Sequence, residues 1–95
     1  AVALVYHGAA AKVEAVRLLM ALRERGIAAA MAFDDRSFRA QFRGADRDGA
    51  RYALVIGEQE LEAGEAVVHP MRKDAAEERV PLADAVDTMA RLLVG

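Results

Sequence analysis

Cysteine and tryptophan are both absent from this sequence of 95 residues. The absence of cysteine excludes a disulfide scaffold, a cysteine-ligated zinc site and a thiol nucleophile. No apolar run approaches the ~18 residues that a membrane-spanning helix needs, so we expect no membrane partner. A chain of this length allows one domain with a modest core.

Residues that carry nucleophilic or metal chemistry are also scarce. The chain has two histidines, His7 and His69, and neither has a ligand partner at the spacing of a metal site. The segment from Tyr6 to Ala11 contains one glycine, where a dinucleotide-binding fingerprint needs three. We therefore expect no catalytic residue, no metal and no bound cofactor in this domain.

Charge is distributed unevenly along the chain. The formal net charge is −2, from 13 basic and 15 acidic side chains. Residues 36–51 nevertheless contain five arginines and two aspartates, whereas residues 58–95 contain nine acids and four bases. A local basic segment can attract an anion even on a mildly acidic domain.

Strand and helix patterns alternate in the first part of the chain. Apolar runs predict strands at residues 2–6, 27–33 and 51–56, and residues 9–25 and 37–48 are predicted helices. Continuous apolar strands joined by helices are typical of a parallel sheet that is covered on both faces.

The pattern changes after the third strand. Residues 58–62 suit one short helical turn, and residues 65–72 and 77–80 are typical of a hairpin with a charged connection. Pro70 indicates an edge or a bulge in the hairpin, and Pro81 predicts the start of the last helix. The predicted fold is therefore α/β, with three α/β/α layers.

Each predicted helix has an expected buried side. For the first helix these residues are Val13, Val16, Leu19, Met20 and Leu22. For the last helix they are Leu82, Val86, Met89 and Leu93. For the helix at 37–48, with Ser37 or Asp35 as its N-cap, they include Phe38 and Phe42.

The helix at 37–48 carries the most informative polar pattern. On a helical wheel four arginines fall within an arc of about 80°, opposite the two phenylalanines. They are Arg36, Arg39, Arg43 and Arg47, and we call them the arginine row. A solvated basic face explains such a row, and so does a face that contacts phosphates, because guanidinium groups match phosphate oxygens.

Ligands of parallel α/β sheets bind beyond the carboxyl ends of the strands. The loops predicted at that edge contain His7, Asp34, Asp35, Arg36, Glu58, Glu60 and Glu62. Glu58 and Glu60 are equally explained as acids at a helix N-terminus, where the helix dipole favours them.

The residues from Asp34 to about Arg72 resemble a known domain in their order and spacing. The matching runs are Phe38-Arg39-Ala40-Gln41-Phe42, Ala45-Asp46, Gly49-Ala50-Arg51, Ala53-Leu54-Val55-Ile56-Gly57-Glu58, Glu60-Leu61, Gly64 and Ala66-Val67-Val68. They resemble the C-terminal anticodon-binding domain of histidyl-tRNA synthetase, a class II aminoacyl-tRNA synthetase. The Gly-Glu-x-Glu-Leu part is similar in the threonine, proline and glycine enzymes.

This resemblance implies a mixed, mostly parallel five-stranded sheet with one antiparallel strand. It implies a module that recognises the anticodon stem-loop of histidine tRNA, while a separate catalytic domain of the same chain attaches histidine with ATP and Mg. The parent would be a cytoplasmic, homodimeric ligase of protein biosynthesis. Residues 1–95 would be a single domain, a fragment of that enzyme that is inactive alone.

The resemblance also implies the RNA contacts. By similarity to the threonine enzyme, Asp35, Arg36, Glu62, His69 and Met71 would lie beside anticodon bases. With Arg39 and Arg43 of the arginine row, they form the predicted tRNA-binding set.

A second interpretation remains open. The chain would then be a non-catalytic synthetase-like paralogue that acts as a dimerisation or regulatory module. The arginine row need not bind RNA in that case, and an apolar patch around the last helix would self-associate.

Overall fold

The computed structural model describes residues 1–72 and 75–94. Its elements in chain order are β1 (Val2–Tyr6), α1 (Ala9–Glu24), β2 (Ala29–Met31), α2 (Phe38–Arg47), β3 (Tyr52–Ile56), α3 (Glu58–Ala63), β4 (Glu65–Pro70), β5 (Glu78–Pro81), a 3₁₀ turn (Leu82–Asp84) and α4 (Ala85–Val94). The predicted order of strands and helices is confirmed.

The five strands form one sheet in the order β2-β1-β3-β4-β5. β1 pairs in parallel with β2 and with β3, and β4 is antiparallel to both β3 and β5. Four strands therefore share one direction and β4 opposes them. The mixed, mostly parallel sheet is confirmed.

One face of the sheet carries the main core, which α1 and α4 cover. Alternate strand residues such as Leu4, Leu54 and Val68 point to this face and are almost completely buried. They pack against Leu22 of α1 and Met89 of α4. Because successive strand residues point to opposite faces, Val5 and Ala53 face the other side, where α2 lies.

The predicted buried side of α1 is wrong at two positions. Val13 is 71% exposed and Met20 is 53% exposed. The buried residues are Ala11, Ala15, Leu18, Leu19 and Leu22. Apolar residues surround much of this helix, so periodicity alone does not fix its orientation, and the small alanines let it approach the sheet closely.

The prediction that Phe38 and Phe42 are core residues of α2 is also wrong. Phe38 and Phe42 are half-buried, whereas Gln41 and Ala45 are the buried residues. α2 lies directly on β1, where a small alanine and a hydrogen-bonding amide fit and two phenyl rings do not. A Phe42→Ala change should therefore cost less than the about 3–5 kcal/mol typical of a fully buried phenylalanine.

Left-handed glycines follow α1 and α3. Gly26 has φ 76° and Gly64 has φ 71°, a region that side-chain-bearing residues rarely adopt. After Gly26, the Ile27 N–H donates to the carbonyl of Leu22 at 3.0 Å, which closes α1. Because residue 27 takes part in closing α1, it is not part of β2. The observed strand, Ala29–Met31, is therefore shorter than the strand predicted at 27–33.

The hairpin differs from its prediction in detail. β4 is an interior strand, so Pro70 is not at a sheet edge; it is the last residue of β4, opposite Tyr52. Residues 73 and 74 of the predicted connection lie outside the described residues. Pro81 ends β5, and α4 begins at Ala85 after the 3₁₀ turn. Of the residues expected to be buried in the last helix, Met89 is buried, Val86 and Leu93 are partly buried in α4, and Leu82 is partly buried in the 3₁₀ turn.

Candidate nucleic-acid interface

The arginine row lies on the outer side of α2 and just before its N-terminus. Ser37 caps the helix, since its Oγ accepts the Ala40 N–H at 3.2 Å. With the helix set in this phase, Arg36, Arg39, Arg43 and Arg47 are all exposed.

The four arginines differ in their partners. Arg36 Nε is 2.9 Å from Asp34 Oδ2, and Arg47 Nε is 3.9 Å from Asp48 Oδ1. Within residues 1–72 and 75–94, no carboxylate oxygen lies within 4.0 Å of a guanidinium nitrogen of Arg39 or Arg43. These two mid-helix arginines therefore present their charge to an external anion.

The loop before α2 is held in place by Asp35. This residue has φ 55°, the left-handed region that few residues other than glycine adopt. Its Oδ1 is 2.9 Å from Lys12 Nζ and 3.2 Å from the hydroxyl of Tyr6. The Tyr6 hydroxyl also lies 2.6 Å from the carbonyl of Ala32. Asp35 thus fixes the loop to β1 and α1.

Charge partners shift the pKa values of this loop. The hydrogen bond from Lys12 holds the pKa of Asp35 below its ordinary value, and the same bond raises the pKa of Lys12. The hydrogen bond from Arg36 lowers the pKa of Asp34. Burial raises the pKa of Tyr6. The loop is therefore a set of paired charges, and its carboxylates stay ionised at neutral pH.

Gln41 joins the loop, α2 and the end of β1. Its Nε2 donates to the carbonyls of Tyr6 at 2.8 Å and Arg36 at 2.7 Å, while its Oε1 accepts the Tyr6 N–H at 3.0 Å. β1 pairs with β2 only as far as Leu4 opposite Met31, so the backbone of Tyr6 has no strand partner on that side. The amide of Gln41 takes the place of the missing strand.

The residues expected at the carboxyl ends of the strands form two separate groups, because Asp34, Asp35 and Arg36 pair within their own loop and with Lys12 and Tyr6. His7 Nδ1 is 3.6 Å from Glu58 Oε1, and His7, Glu58 and Glu62 line one shallow depression with the start of α1. Glu60 has the helix-terminal role: its Oε1 accepts the Gly57 N–H at 2.8 Å. Three carboxylates at this edge disfavour an anion there.

The predicted base contacts do not form one pocket. Asp35, Arg36 and Glu62 belong to the carboxyl edge of the sheet. His69 lies in β4, opposite Ala53. Met71 follows β4 at the other edge, where its N–H donates to the carbonyl of Arg51 at 3.0 Å. Arg39, Arg43, His69 and Met71 therefore lie on the α2 side of the sheet, Asp35 and Arg36 lie in the loop before α2, and Glu62 lies in the depression beside the start of α1.

Two aromatic pairs border α2 on the side of β3 and β4. The rings of His7 and Phe38 have centroids 5.7 Å apart, and those of Phe42 and His69 have centroids 5.1 Å apart in an edge-on arrangement. We call these four residues the aromatic row. Sequence reasoning missed it because Phe38 and Phe42 were assigned to the core; the signal was their i, i+4 spacing beside the arginines.

The other side of α2, towards β2, has a groove of about 620 Å³. Small residues form much of its lining, among them Ala3, Ala30 and Gly44, and Arg36 and Arg47 lie at its rim. The described residues contain no group of three or more histidine or carboxylate side chains that could hold a metal ion. In the same part of the chain, no helix is long and apolar enough to cross a bilayer.

Comparison with known proteins identifies the family of the chain. A family model described as "Anticodon binding domain" matches residues 1–92. The chain is 42% identical over 87 residues to the histidine–tRNA ligase of Saccharopolyspora erythraea, covering 90% of this chain and 20% of that protein. It is 39% identical over 90 residues to the ligase of Halothermothrix orenii, covering 95% of this chain and 21% of that protein.

A solved structure agrees with these matches. The crystal structure of apo S. aureus histidyl-tRNA synthetase superposes with a TM-score of 0.84 at 36% identity, covering 92% of this chain and 25% of that one. The chain thus spans at most about a fifth of the length of the first curated relatives it matches.

The chain belongs to the family of anticodon-binding domains. Within that family it is a domain of the histidyl-tRNA synthetase type, and the resemblance seen in the sequence is confirmed.

Proposed function

We propose that this chain binds the anticodon stem-loop of histidine tRNA, with the arginine row on the RNA phosphates. The observation that carries the proposal is the exposed pair Arg39 and Arg43, which has no carboxylate partner among the described residues. Phosphate contacts fix the position of an RNA, and guanidinium groups make them well.

The remaining predicted residues have different roles in this proposal. Arg36 lies in the loop at the carboxyl edge, where its planar guanidinium is available to an unstacked base. Asp35 shapes that loop through Lys12 and Tyr6. His69 and Met71 lie on the α2 side of the sheet, Glu62 lies beside the start of α1, and all three are proposed base contacts.

The wider assignment follows from the relatives. We propose that residues 1–95 form a single domain of a longer histidine–tRNA ligase. A catalytic domain elsewhere in that protein would attach histidine with ATP and Mg. The parent would be a cytoplasmic homodimer.

The test is a salt titration of stem-loop binding, made with the longest natural polypeptide that contains this chain. The double variant Arg39→Gln, Arg43→Gln should weaken binding to histidine and non-cognate stem-loops alike. It should lower the slope of log K against log salt by about 0.7–0.9 per lost contact. The control Arg17→Gln, Arg91→Gln removes the same charge from α1 and α4, on the opposite face of the sheet.

Arg36→Gln separates base contact from phosphate contact. It should reduce the preference for the histidine anticodon by about 1–3 kcal/mol if the guanidinium makes a bidentate base contact. Equal weakening of both stem-loops would make Arg36 a phosphate contact. If the Arg39, Arg43 double variant binds like the Arg17, Arg91 control, the arginine row is a solvated face and the proposed function loses its support.

A further inference from the structure

The loop of residues 32–36, between β2 and α2, lies outside the sheet but is bonded from three other elements. The Tyr6 hydroxyl at the end of β1 donates to the carbonyl of Ala32 at 2.6 Å. From α1, Lys12 Nζ donates to the carbonyl of Phe33 at 2.5 Å. From α2, Gln41 Nε2 donates to the carbonyl of Arg36 at 2.7 Å. The conformation of this loop is therefore set by side chains that are remote from it in sequence.

Asp35 is the residue of the loop that both Tyr6 and Lys12 contact. Its N–H donates to the Tyr6 hydroxyl at 3.3 Å, and its Oδ1 is 2.9 Å from Lys12 Nζ. Its φ of 55° is a conformation that a side-chain-bearing residue keeps only where the surrounding structure holds it. Asp35 directly precedes Arg36, so the contacts that hold Asp35 also set the direction in which the chain enters Arg36.

The two residues that hold Asp35 differ in their access to a ligand. Tyr6 is only 2% exposed, so its hydroxyl cannot contact an RNA. Lys12 is half-buried, its charge is paired with Asp35, and its Nζ lies 5.9 Å from the centroid of the Tyr6 ring. Any influence of the Tyr6 hydroxyl on RNA binding must therefore pass through the loop, and Lys12 bonds the same loop.

We propose that Tyr6 and Lys12 are positioning residues for RNA binding, which hold residues 32–36 so that the guanidinium of Arg36 meets the RNA. The proposal rests on the proposed function and adds two residues that lie outside the predicted tRNA-binding set. A side chain on a loop that is already ordered loses less conformational freedom when it binds. Without the hydroxyl or the ammonium group, Asp35 is free to leave the left-handed region, and Arg36 moves with it.

The chain supplies a matched control for each variant. Tyr6→Phe removes only the hydroxyl, and Tyr52→Phe makes the same change at the start of β3, at the opposite edge of the sheet. Lys12→Met removes the charge and keeps a long side chain, and Arg17→Met removes a charge from α1 whose ion pair lies within that helix.

All four variants are made in the longest natural polypeptide that contains this chain, with and without Arg36→Gln. Circular dichroism and thermal melting confirm folding, and Lys12→Met carries the test if Tyr6→Phe does not fold.

The first measurement is the affinity for the anticodon stem-loop of histidine tRNA. Tyr6→Phe and Lys12→Met should each weaken binding by about 2- to 10-fold, within the range seen for residues coupled in one network. In the Arg36→Gln background neither variant should weaken binding further, because the group that they position is already absent. A direct phosphate contact of Lys12 would instead persist in that background. Tyr52→Phe and Arg17→Met should bind as wild type.

The second measurement follows the loop without RNA. Trypsin cleaves after arginine, and cleavage in a folded protein needs local opening of the chain. Tyr6→Phe and Lys12→Met should therefore speed cleavage after Arg36 several-fold, identified by fragment mass, and the two controls should not.

The outcomes distinguish this inference from the proposed function. If the Arg39, Arg43 double variant weakens binding but Tyr6→Phe and Lys12→Met match their controls, the inference is overturned and the proposed function stands. If the two variants weaken binding equally with and without Arg36→Gln, their effect does not pass through Arg36 and the inference is wrong. If wild type binds no stem-loop, the proposed function fails, whereas unchanged cleavage after Arg36 overturns the inference alone.

Discussion

Asp35 carries a structural role that its sequence position does not reveal. It follows β2, and its neighbours suggest an exposed acidic pair at a strand end. The structure places its carboxylate between Lys12 and the buried Tyr6, at a backbone angle that a side-chain-bearing residue rarely adopts. The loop that presents Arg36 therefore depends on an ion pair that is remote in sequence.

The lowered pKa of Asp35 makes this contribution depend on pH. A carboxyl group with a lowered folded-state pKa stabilises the protein above its unfolded pKa, and the effect is lost as pH falls through the folded pKa. We expect Asp35→Asn to lower the urea midpoint at neutral pH, with the difference from wild type shrinking in acid. Asparagine tolerates the same backbone region, which keeps the change local.

Urea unfolding of both proteins between neutral and acid pH measures this difference. In a Lys12→Met background most of the effect of Asp35→Asn should disappear, because the ion pair is already absent. A gap between the two proteins that stays constant down to acid pH would contradict the assigned role of Asp35.

The role of a residue was predictable from the sequence where a backbone conformation strongly favours one residue type. Gly26 follows the helix predicted at residues 9–25 and ends α1, because the left-handed region favours glycine. The role of Gln41 was not predictable in this way. Gln41 can bond the backbone of Tyr6 because β2 ends before β1 does. The relative length of two strands is a property of the sheet rather than of the local sequence.

At the scale of the elements, α2 is fixed mainly by polar groups. Its buried centre consists of Gln41 and Ala45, and its flanks carry the phenylalanines. Two hydrogen bonds of one amide set the helix against Tyr6, the last residue of β1, and a third holds the carbonyl of Arg36 in the loop before the helix. This arrangement leaves both the arginine row and the aromatic row at the surface.

Gln41→Leu should therefore destabilise the protein by at least about 2 kcal/mol, since buried backbone groups left without partners cost about 1–3 kcal/mol each. Gln59→Leu on α3 is the matched control, because that side chain is exposed. The measurement is the urea midpoint of each variant. If Gln41→Leu unfolds at the same urea concentration as Gln59→Leu, the amide does not hold α2 in place.

The order of the elements was predictable from apolar runs and helix ends, but helix orientation was less so. α1 has apolar side chains on more than one side, and Val13 and Met20 are exposed although they fit the periodicity. The side with small alanines faces the sheet, because alanines let the helix approach the sheet more closely than larger residues do. Such packing depends on pairs of elements that lie far apart in sequence.

The whole molecule divides its two sheet faces between stability and binding. α1 and α4 cover one face and form the main core with it. The α2 face is covered over β1 and partly open over β3 and β4. An open face in a domain of 95 residues lowers the area it can bury, which is consistent with a surface kept for a partner.

This division predicts that binding and catalysis separate when the domain is isolated. The 95-residue chain has neither a glycine-rich phosphate loop nor, within its described residues, a carboxylate cluster for a metal ion. In the proposed function, ATP and Mg act in a catalytic domain elsewhere in a longer ligase, and this chain spans about a fifth of the length of such a relative. We expect the excised chain to show no histidine-dependent exchange between ATP and pyrophosphate.

The same preparation must bind the anticodon stem-loop with the salt dependence described above, which shows that it is folded. The full-length parent, assayed in parallel, should show the exchange. Exchange by the purified 95-residue chain that survives further purification would place activation chemistry in this domain and overturn its assignment as an RNA-binding module.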